Sequence, residues 1–317
     1  MVQISTPNIQ DTVTLDIWYT LIKIYKCIIT TKFRLNREKN MELAINVRNW
    51  GPTATVEFIR DSVLVADESS MDALWFNDHL CFPPFIADNF YNVPQTMGSI
   101  IDPLSLASFI AGITKRIKFG TAVLVLPYRE KIVTTKMIAS IQQLSNNRFL
   151  LGVGPGYLEE EFNALGINLK DRGKITNETL DFLLKASKDS KIISNGQEIL
   201  LEPKLTLPPI YIGQMAKVAF DRTIRFGRGW MPVSISPEEL GPKVIELKKQ
   251  AKAAGRDKIE IIAMKTLPLD DLESAKKMAI AYKDAGATQL VHTQGYETVD
   301  HYCQIIEKLE KYIKPLI

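Results

Sequence analysis

Short apolar runs alternate with longer amphipathic segments along the chain from residue 41 to its end. The apolar runs predict eight β-strands, at Glu42–Val47, Ala73–Asn77, Ile117–Leu126, Arg148–Val153, Pro209–Gly213, Gly229–Val233, Ile259–Leu267 and Thr288–His292. The segments between them have helical periodicity and predict helices near Val56–Glu68, Pro103–Thr114, Lys131–Leu144, Lys174–Ala186, Ala216–Phe226, Pro237–Ala254, Leu272–Ala285 and Val299–Tyr312. Each strand is followed by one helix, which is typical of a parallel sheet with helices outside it.

Residues that start and stop helices occur at most of the predicted boundaries. Asp102–Pro103 and Ser236–Pro237 each place an N-cap side chain before a first-turn proline. Glycines able to adopt the left-handed conformation follow three predicted helices, at Gly227, Gly255 and Gly286. One conflict is Gly241–Pro242, which should kink the sixth helix or delay its start.

Eight strand–helix units predict an α/β fold, a (β/α)8 TIM barrel with a parallel eight-stranded sheet, over residues 41–317. The competing architecture is a doubly wound sheet, which usually has a glycine-rich turn after its first strand. The segment Val47–Gly51 has no such turn, so the barrel is favoured. In a barrel, the chemistry is found on the loops that follow the strands.

Residues 1–40 differ from the rest and are predicted to form an extension outside the barrel. They contain six basic and three acidic residues and so account for the whole net charge of +3. The alternative is a docking helix, because Trp18, Ile22, Tyr25 and Ile29 would share one helical face. The apolar stretch Ile17–Ile29 is shorter than the roughly 20 residues of a membrane span. The neutral barrel gives no reason to expect nucleic acid or a membrane as partner.

The sequence lacks several motifs that identify common classes of enzyme. The three cysteines, Cys27, Cys81 and Cys303, lie far apart, which predicts neither a metal site nor a disulfide framework and favours the cytoplasm. The sequence contains no Walker loop, GxSxG elbow or HExxH motif. A barrel with glycine-rich loops and few acid–base pairs suits an organic cofactor that carries the chemistry.

The strongest catalytic candidate is His79, which follows the second strand directly after Asp78. Histidine exchanges protons near neutral pH and can serve as a general acid or base. The alternative is that His79 only hydrogen-bonds its loop. His292, at the end of the last strand, is a lesser candidate.

Other strand ends offer weaker binding signals. Gly120 inside the third strand indicates a bulge or the close approach of a ligand. The glycines of Gly152–Tyr157 would let a ring or phosphate approach the backbone, although plain turn formation explains them equally well. Five aromatic residues indicate either an apolar pocket wall or core packing: Trp50, Phe82, Tyr128, Tyr157 and Trp230.

Several segments in order resemble the luciferase-like monooxygenase family, which includes bacterial luciferase and deazaflavin-dependent reductases. They are Gly120–Ala122 with Pro127, Leu144–Phe149, Gly152–Gly154, Glu161–Gly166, Arg172–Gly173, Ile212–Gln214 and Gly229–Pro232. The resemblance implies a barrel that binds FMN or the deazaflavin coenzyme F-420. It implies an oxidoreductase that transfers hydride to, or oxygenates, a small organic molecule, and it allows a homodimer.

The resemblance also implies roles for particular residues. Asp78 and His79 would face the reactive ring or the substrate. A non-proline cis peptide bond beneath the ring would fall at Ala122–Val123. Gly154 and Pro155 would line the ring pocket, and Gly213, Gln214 and Met215 would hold the cofactor phosphate through backbone N–H groups.

Three departures from the family pattern keep alternatives open. Asn146–Asn147 replace a common glycine, although asparagine tolerates the left-handed conformation. Arg228 replaces a usual acidic residue, and the compact stretch Lys185–Pro208 implies a reduced lid. The alternatives are a non-catalytic flavin-binding homologue and an unrelated phosphate-binding enzyme such as an isomerase, for which Lys265 is the best-placed lysine.

Overall fold

The computed structural model of the protein describes residues 40–83, 99–215 and 217–317. Its strands are β1 (Glu42–Asn46), β2 (Ala73–Phe76), β3 (Lys118–Val125), β4 (Phe149–Gly154), β5 (Lys191–Ser194), β6 (Gln197–Leu200), β7 (Ile210–Ile212), β8 (Gly229–Trp230), β9 (Glu260–Lys265) and β10 (Gln289–His292). All of them except β5 and β6 pair in parallel and close into an eight-stranded barrel. The predicted (β/α)8 TIM barrel is therefore confirmed.

The helices lie between the barrel strands, as the periodicity predicts. They are α1 (Val56–Glu68), α2 (Pro103–Ile113), α3 (Lys131–Leu144), α4 (Glu159–Ala164), α5 (Arg172–Lys188), α6 (Lys217–Phe226), α7 (Pro237–Ala253), α8 (Leu272–Asp284) and α9 (Val299–Lys308). The short helix α4 was not predicted as a separate element. It follows β4 and brings the acidic run of the sequence to the carboxyl-terminal end of the barrel.

The helix-boundary predictions are largely confirmed. Asp102 accepts hydrogen bonds from two backbone N–H groups of α2, and Ser236 forms a capping box with Glu239. Gly255 and Gly286 have positive φ as expected, whereas Gly227 does not. Gly227 is needed for another reason, because a Cβ there would lie 3.1 Å from the Gly229 carbonyl oxygen.

Two further expectations concern the proline inside α7 and the turn at Asn146–Asn147. Helix α7 begins at Pro237 and continues through Pro242, so the internal proline does not delay its start. Asn146 and Asn147 both have positive φ, which confirms that asparagine can form the turn in place of glycine.

Side chains that point into the barrel form one apolar core. It contains Ala44, Ala73, Trp75, Leu150, Tyr211, Met231, Ile262 and Val291. Complete burial of a large apolar side chain contributes about 1.5–3 kcal/mol. This core separates the two ends of the barrel.

Polar side chains close the amino-terminal end of the barrel. The Trp75 indole N–H donates to Gln289 Oε1 at 2.7 Å, and Gln289 Nε2 donates to Glu42 Oε2 at 2.8 Å. Lys118 Nζ lies 2.8 Å from the other Glu42 oxygen. Glu42, Lys118 and Gln289 begin their strands, and Trp75 belongs to the core above them. These contacts therefore lie at the end that is opposite the loops expected to carry chemistry.

Arg228 belongs to the same amino-terminal end. It precedes β8, and its Nε lies 2.7 Å from Glu260 Oε1, while the Tyr211 hydroxyl donates to Glu260 Oε2 at 2.8 Å. This departure from the family pattern therefore lies away from the strand ends that carry the candidate site.

The stretch from Lys185 to Pro208 contains an antiparallel hairpin that the periodicity did not predict. Strands β5 and β6 pair through a two-residue turn, Asn195–Gly196, in which both residues have positive φ. Asn-Gly is the preferred sequence for this type of tight hairpin turn.

Residues 1–39, together with residues 84–98, lie outside the described residues. The predicted amino-terminal extension therefore stays a sequence-based prediction. In the described ranges no helix combines the length and apolar character needed to cross a bilayer.

Candidate active site

Strand β3 carries an irregularity at its carboxyl-terminal half. Thr121 pairs with Leu151 and Leu124 pairs with Val153, so two residues, Ala122 and Val123, face a single residue of β4. The peptide bond between Ala122 and Val123 is cis, at the position that the family resemblance implies. The Ala122 carbonyl oxygen accepts a hydrogen bond from Asn77 Nδ2 at 3.4 Å.

The bulge places the Val123 side chain against the ends of two neighbouring strands. A Cβ on Gly213 would lie 2.3 Å from Val123 Cγ1, and one on Gly154 would lie 2.7 Å from Val123 Cγ2. Glycine is required at both positions because Val123 fills the space. Gly120 has a similar explanation, since a Cβ there would lie 2.4 Å from the Leu150 carbonyl oxygen, so the close approach is made by the barrel itself.

Ala122, Val123 and Met264 form a half-buried apolar shelf on top of the core. Pro155 is half-buried beside the buried Gly154 at the end of β4. A flat aromatic ring fits such a surface because the shelf offers apolar contact without a charged side chain. The residues present therefore match the requirement for a flavin or deazaflavin ring.

His79 is held by a fully buried carboxylate. Its Nδ1 lies 2.8 Å from Glu161 Oε2, and the exposed fractions of the two side chains are 11% and 0%. The Tyr128 hydroxyl donates to the same oxygen at 2.7 Å. The other Glu161 oxygen accepts from the backbone N–H groups of Leu80 at 2.7 Å and Cys81 at 3.3 Å.

These contacts indicate which ring nitrogen of His79 carries a hydrogen atom. Burial alone would raise the pKa of Glu161, but hydrogen bonds from His79 and Tyr128 outweigh it and hold that pKa below its ordinary value. Because an ionised carboxylate only accepts hydrogen bonds, Nδ1 of His79 must carry a proton. The lone pair of the neutral ring therefore lies on Nε2, for which the described residues offer no hydrogen-bond partner.

Aromatic rings surround His79 on two sides. The Phe82 ring centroid lies 4.7 Å away, and the Tyr157 ring stands edge-on at 6.0 Å. Of the predicted pocket aromatics, Tyr157 is 39% exposed. Trp50 is half-buried, with the Arg48 guanidinium 4.4 Å from its ring centroid.

The two other predicted pocket aromatics are buried, so their rings do not form an exposed wall. Tyr128 packs against Phe162 beneath the site and contributes its hydroxyl to Glu161. Trp230 is completely buried, and its indole N–H donates to the Gln214 carbonyl oxygen at 2.8 Å. The polar atom of each of these two residues therefore has a hydrogen-bond partner within the protein.

Asp78 is already engaged within the protein. Its oxygens accept from Arg129 Nη1 at 2.7 Å and Nη2 at 2.8 Å, and Oδ2 also accepts from the Val125 N–H. Arg129 Nη2 also lies 2.6 Å from Asp102. Although burial opposes the charged guanidinium, hydrogen bonds and charge pairing with Asp78 and Asp102 raise the pKa of Arg129. Asp78 thus ties the loops after β2 and β3 together, and its carboxylate is turned toward Arg129.

The loop after β7 is fixed at Gln214. Its backbone oxygen accepts from Trp230, and its side-chain Oε1 accepts from Arg222 Nη1 at 2.6 Å. Gly213 and Gln214 are half-buried, whereas Met215 is exposed. Helix α6 begins two residues after Met215, so the N–H groups of Gln214 and Met215 lie near the amino-terminal end of a helix, where anions bind favourably. The Gly213 N–H donates to the Val153 carbonyl oxygen at 2.8 Å.

His292 is not suited to proton transfer. It is completely buried, its Nδ1 accepts from the Leu267 N–H at 3.1 Å, and its Nε2 lies 3.1 Å from Gln294 Oε1. Burial lowers the pKa of His292 to about 4, so the ring is neutral at ordinary pH. Both ring nitrogens are occupied, which removes His292 from the catalytic candidates.

Sequence reasoning missed Glu161, Arg129 and Arg222 as parts of this region. Glu161 stands in an acidic run whose other members are exposed, and only the adjacent buried Phe162 indicates that one carboxylate turns inward. Arg129 and Arg222 give no motif, because their partners come from distant parts of the chain.

The chain belongs to the luciferase-like monooxygenase family, whose members match it over residues 40–310. An uncharacterized protein of Sinorhizobium fredii is 28% identical over 185 residues, covering 55% of this chain and about half, 49%, of the relative. The 5,10-methylenetetrahydromethanopterin reductase of Methanolobus tindarius is 25% identical over 252 residues, covering 76% of this chain and 71% of the relative.

Solved structures share the barrel. An F-420-dependent secondary alcohol dehydrogenase in complex with an F-420–acetone adduct has a TM-score of 0.71 and 14% identity, covering 88% of this chain and 99% of that one. The FMN-bound oxygenating constituent of 3,6-diketocamphane monooxygenase from Pseudomonas putida has a TM-score of 0.67 and 15% identity, with the same coverage. At these identities the likeness establishes the fold.

Proposed function

We propose that the protein is an oxidoreductase that binds FMN or coenzyme F-420 at the carboxyl-terminal end of the barrel. The bound cofactor would supply hydride transfer, or oxygen activation if it is a reduced flavin. The observation that carries the proposal is the His79–Glu161 pair, which holds one imidazole nitrogen on a buried carboxylate and leaves the other without a partner among the described residues.

Different residues would bind the ring and the phosphate of the cofactor. Ala122, Val123 and Met264 would support the ring on the apolar shelf, and Gly154 with Pro155 would border it. Gln214 and Met215 would hold the phosphate through backbone N–H groups near the start of α6. The predicted role of the Gly213 N–H is wrong, because that group donates to the Val153 carbonyl oxygen at 2.8 Å, and Gly213 would only border the phosphate. Two of the similar proteins use F-420 or carry FMN by name, which supports the same pair of cofactors here.

His79 would exchange a proton with the substrate through Nε2. Glu161 accepts from Nδ1 and would stabilise the ring when it becomes positively charged. Asp78 and Arg129 would keep the loop that carries His79 in place. A positioned acid or base of this kind contributes about 10²–10⁴-fold to a reaction rate.

One feature that suggested a non-catalytic homologue has another explanation. Arg228 pairs with Glu260 at the opposite end of the barrel, so it does not argue for a site that has lost turnover. The reduced lid stays a prediction. The isomerase alternative rests on Lys265, which is exposed at the end of β9.

The first test is a titration of the full-length protein with FMN and with F-420, followed by fluorescence quenching. Binding of F-420 alone supports a hydride-transferring reductase or dehydrogenase, and binding of FMN supports an oxygen-using monooxygenase. If neither cofactor binds, the proposed function is wrong.

A second test separates binding from proton transfer. His79→Gln should lower turnover by roughly 10²-fold while cofactor affinity stays unchanged, because the imidazole would move the proton and is not among the residues proposed to hold the cofactor. His301→Gln, in the last helix, is the matched control and should behave as the unchanged protein. Full activity of the His79 variant would remove this residue from the mechanism.

A further inference from the structure

Arg222, on α6, is a buried cation with no acidic partner among the described residues. Its exposed fraction is 6%, and no ion pair of the described ranges includes it. Arg48, the arginine of comparable burial among the described residues, behaves differently, since it pairs with Glu297. Buried charges are normally paired, because removing them from water is costly.

The acceptors around Arg222 are all neutral. Its Nε donates to Asn177 Oδ1 at 2.7 Å, its Nη1 to Gln214 Oε1 at 2.6 Å, and its Nη2 to the Gly173 carbonyl oxygen at 3.1 Å. A guanidinium has five N–H groups, so the described residues take up three of them.

The surroundings add positive rather than negative potential. Burial, together with the charge of nearby Arg172, lowers the pKa of Arg222. Gly173 belongs to the first turn of α5, and Gln214 lies just before α6, so two helix amino-terminal ends converge on this guanidinium. Both helix ends carry partial positive charge, which favours a nearby anion.

We propose that Arg222 is the positioning and specificity residue that makes the loop Gly213–Met215 prefer the phosphorylated form of the cofactor over its phosphate-free form. This inference rests on the proposed function. Arg222 holds the Gln214 side chain and supplies positive charge behind the loop, and the cofactor phosphate supplies the counter-charge that the described residues do not.

The test compares two ligands that share one ring and differ only in the terminal phosphate. FMN and riboflavin are titrated separately into the full-length protein, and the ratio of their dissociation constants gives the preference for phosphate. If F-420 is the cofactor that binds, it is compared with 8-hydroxy-5-deazariboflavin, which has the same ring and lacks the phosphodiester together with the tail attached to it.

Three variants distinguish charge from packing. Arg222→Gln should lower the phosphate preference roughly tenfold to hundredfold while affinity for the phosphate-free ligand is retained. Arg222→Lys keeps the charge and should keep most of the preference. Arg225→Gln is the matched control, since Arg225 is on the same helix, pairs with Asp181 and has 59% of its side chain exposed.

Salt gives an independent readout. The phosphate preference of the unchanged protein and of Arg222→Lys should fall as ionic strength rises, whereas that of Arg222→Gln should depend less on salt. An unchanged preference in Arg222→Gln overturns the inference, as does an equal loss of affinity for both ligands in the Gln and Lys variants. Failure of the unchanged protein to bind either form of either cofactor instead contradicts the proposed function.

Discussion

The Glu161 carboxylate accepts from four donors at once, namely His79, Tyr128 and the backbone N–H groups of Leu80 and Cys81. A glutamine in its place cannot accept at both ends, so one donor must lose its partner or His79 must change tautomer. Glu161→Gln should therefore lower kcat by roughly tenfold or more, but by no more than the about 10²–10⁴-fold that a positioned proton donor contributes, while cofactor affinity is retained.

Nitrogen-15 NMR of the His79 ring provides the direct measurement. The unchanged protein should show a protonated Nδ1, and Glu161→Gln should shift the neutral ring toward the other tautomer. Tyr128→Phe is the matched control, since it removes one donor to the same oxygen and leaves the carboxylate in place. Unaltered turnover and tautomer in Glu161→Gln would show that the buried carboxylate serves packing alone.

Among single residues, the sequence indicated His79 as a catalytic candidate but did not indicate its partner Glu161. Position after a barrel strand was enough to select the histidine, whereas Glu161 lies 82 residues further along the chain. Arg222 was equally hidden, because its partners Gly173 and Asn177 are on another helix. Such pairs depend on how the loops fold over the barrel, and periodicity carries no information about that.

At the scale of elements, strand β3 and the loop after β7 depend on each other through Val123. Gly213→Ala would place a Cβ 2.3 Å from Val123 Cγ1, so the strand or the loop must move. Overpacking of this kind typically costs about 1–3 kcal/mol. We expect a lower free energy of unfolding in urea together with weaker cofactor binding.

Gly112→Ala is the control for this change. Gly112 lies in α2 with no atom within 4 Å of the added Cβ, and alanine favours a helix over glycine by up to about 1 kcal/mol. This variant should be as stable as the unchanged protein or slightly more so. Equal stability and cofactor affinity in both variants would mean that Val123 adapts without cost.

Element prediction succeeded where the core buries a strand on both faces or a helix on one face. The barrel strands appear in the sequence as short continuous apolar runs, and the helices between them, except the short α4, show helical periodicity. The hairpin of β5 and β6 lies outside the barrel, with Ile193 and Leu200 exposed, so it lacks the burial pattern that identifies a core strand. Its Asn195–Gly196 turn was the available signal.

At the scale of the whole molecule, the buried His292 links stability to pH. Its pKa falls from the ordinary 6.5 to about 4 on folding, so the unfolded chain binds a proton more readily between these values. Stability from this residue is therefore fully present above pH 6.5 and is lost as pH falls toward 4, by about 3 kcal/mol in all.

Thermal unfolding between pH 7 and pH 5 tests this linkage. His292→Asn keeps an acceptor for the Leu267 N–H but does not titrate, so its Tm should decrease less steeply with falling pH. His301→Asn changes a partly exposed histidine and should keep the original slope. Parallel pH profiles for the unchanged protein and His292→Asn would contradict the assignment.

The two ends of the barrel are stabilised by separate polar groups. Glu42, Gln289 and Glu260 organise the amino-terminal end, while Asp78 and Glu161 organise the opposite one, with the apolar core between them. Such a division lets selection act on the two ends independently. Laboratory evolution toward a new substrate can accordingly draw its variation from the loops after the strands, while robustness to those changes can be gained at the distant end.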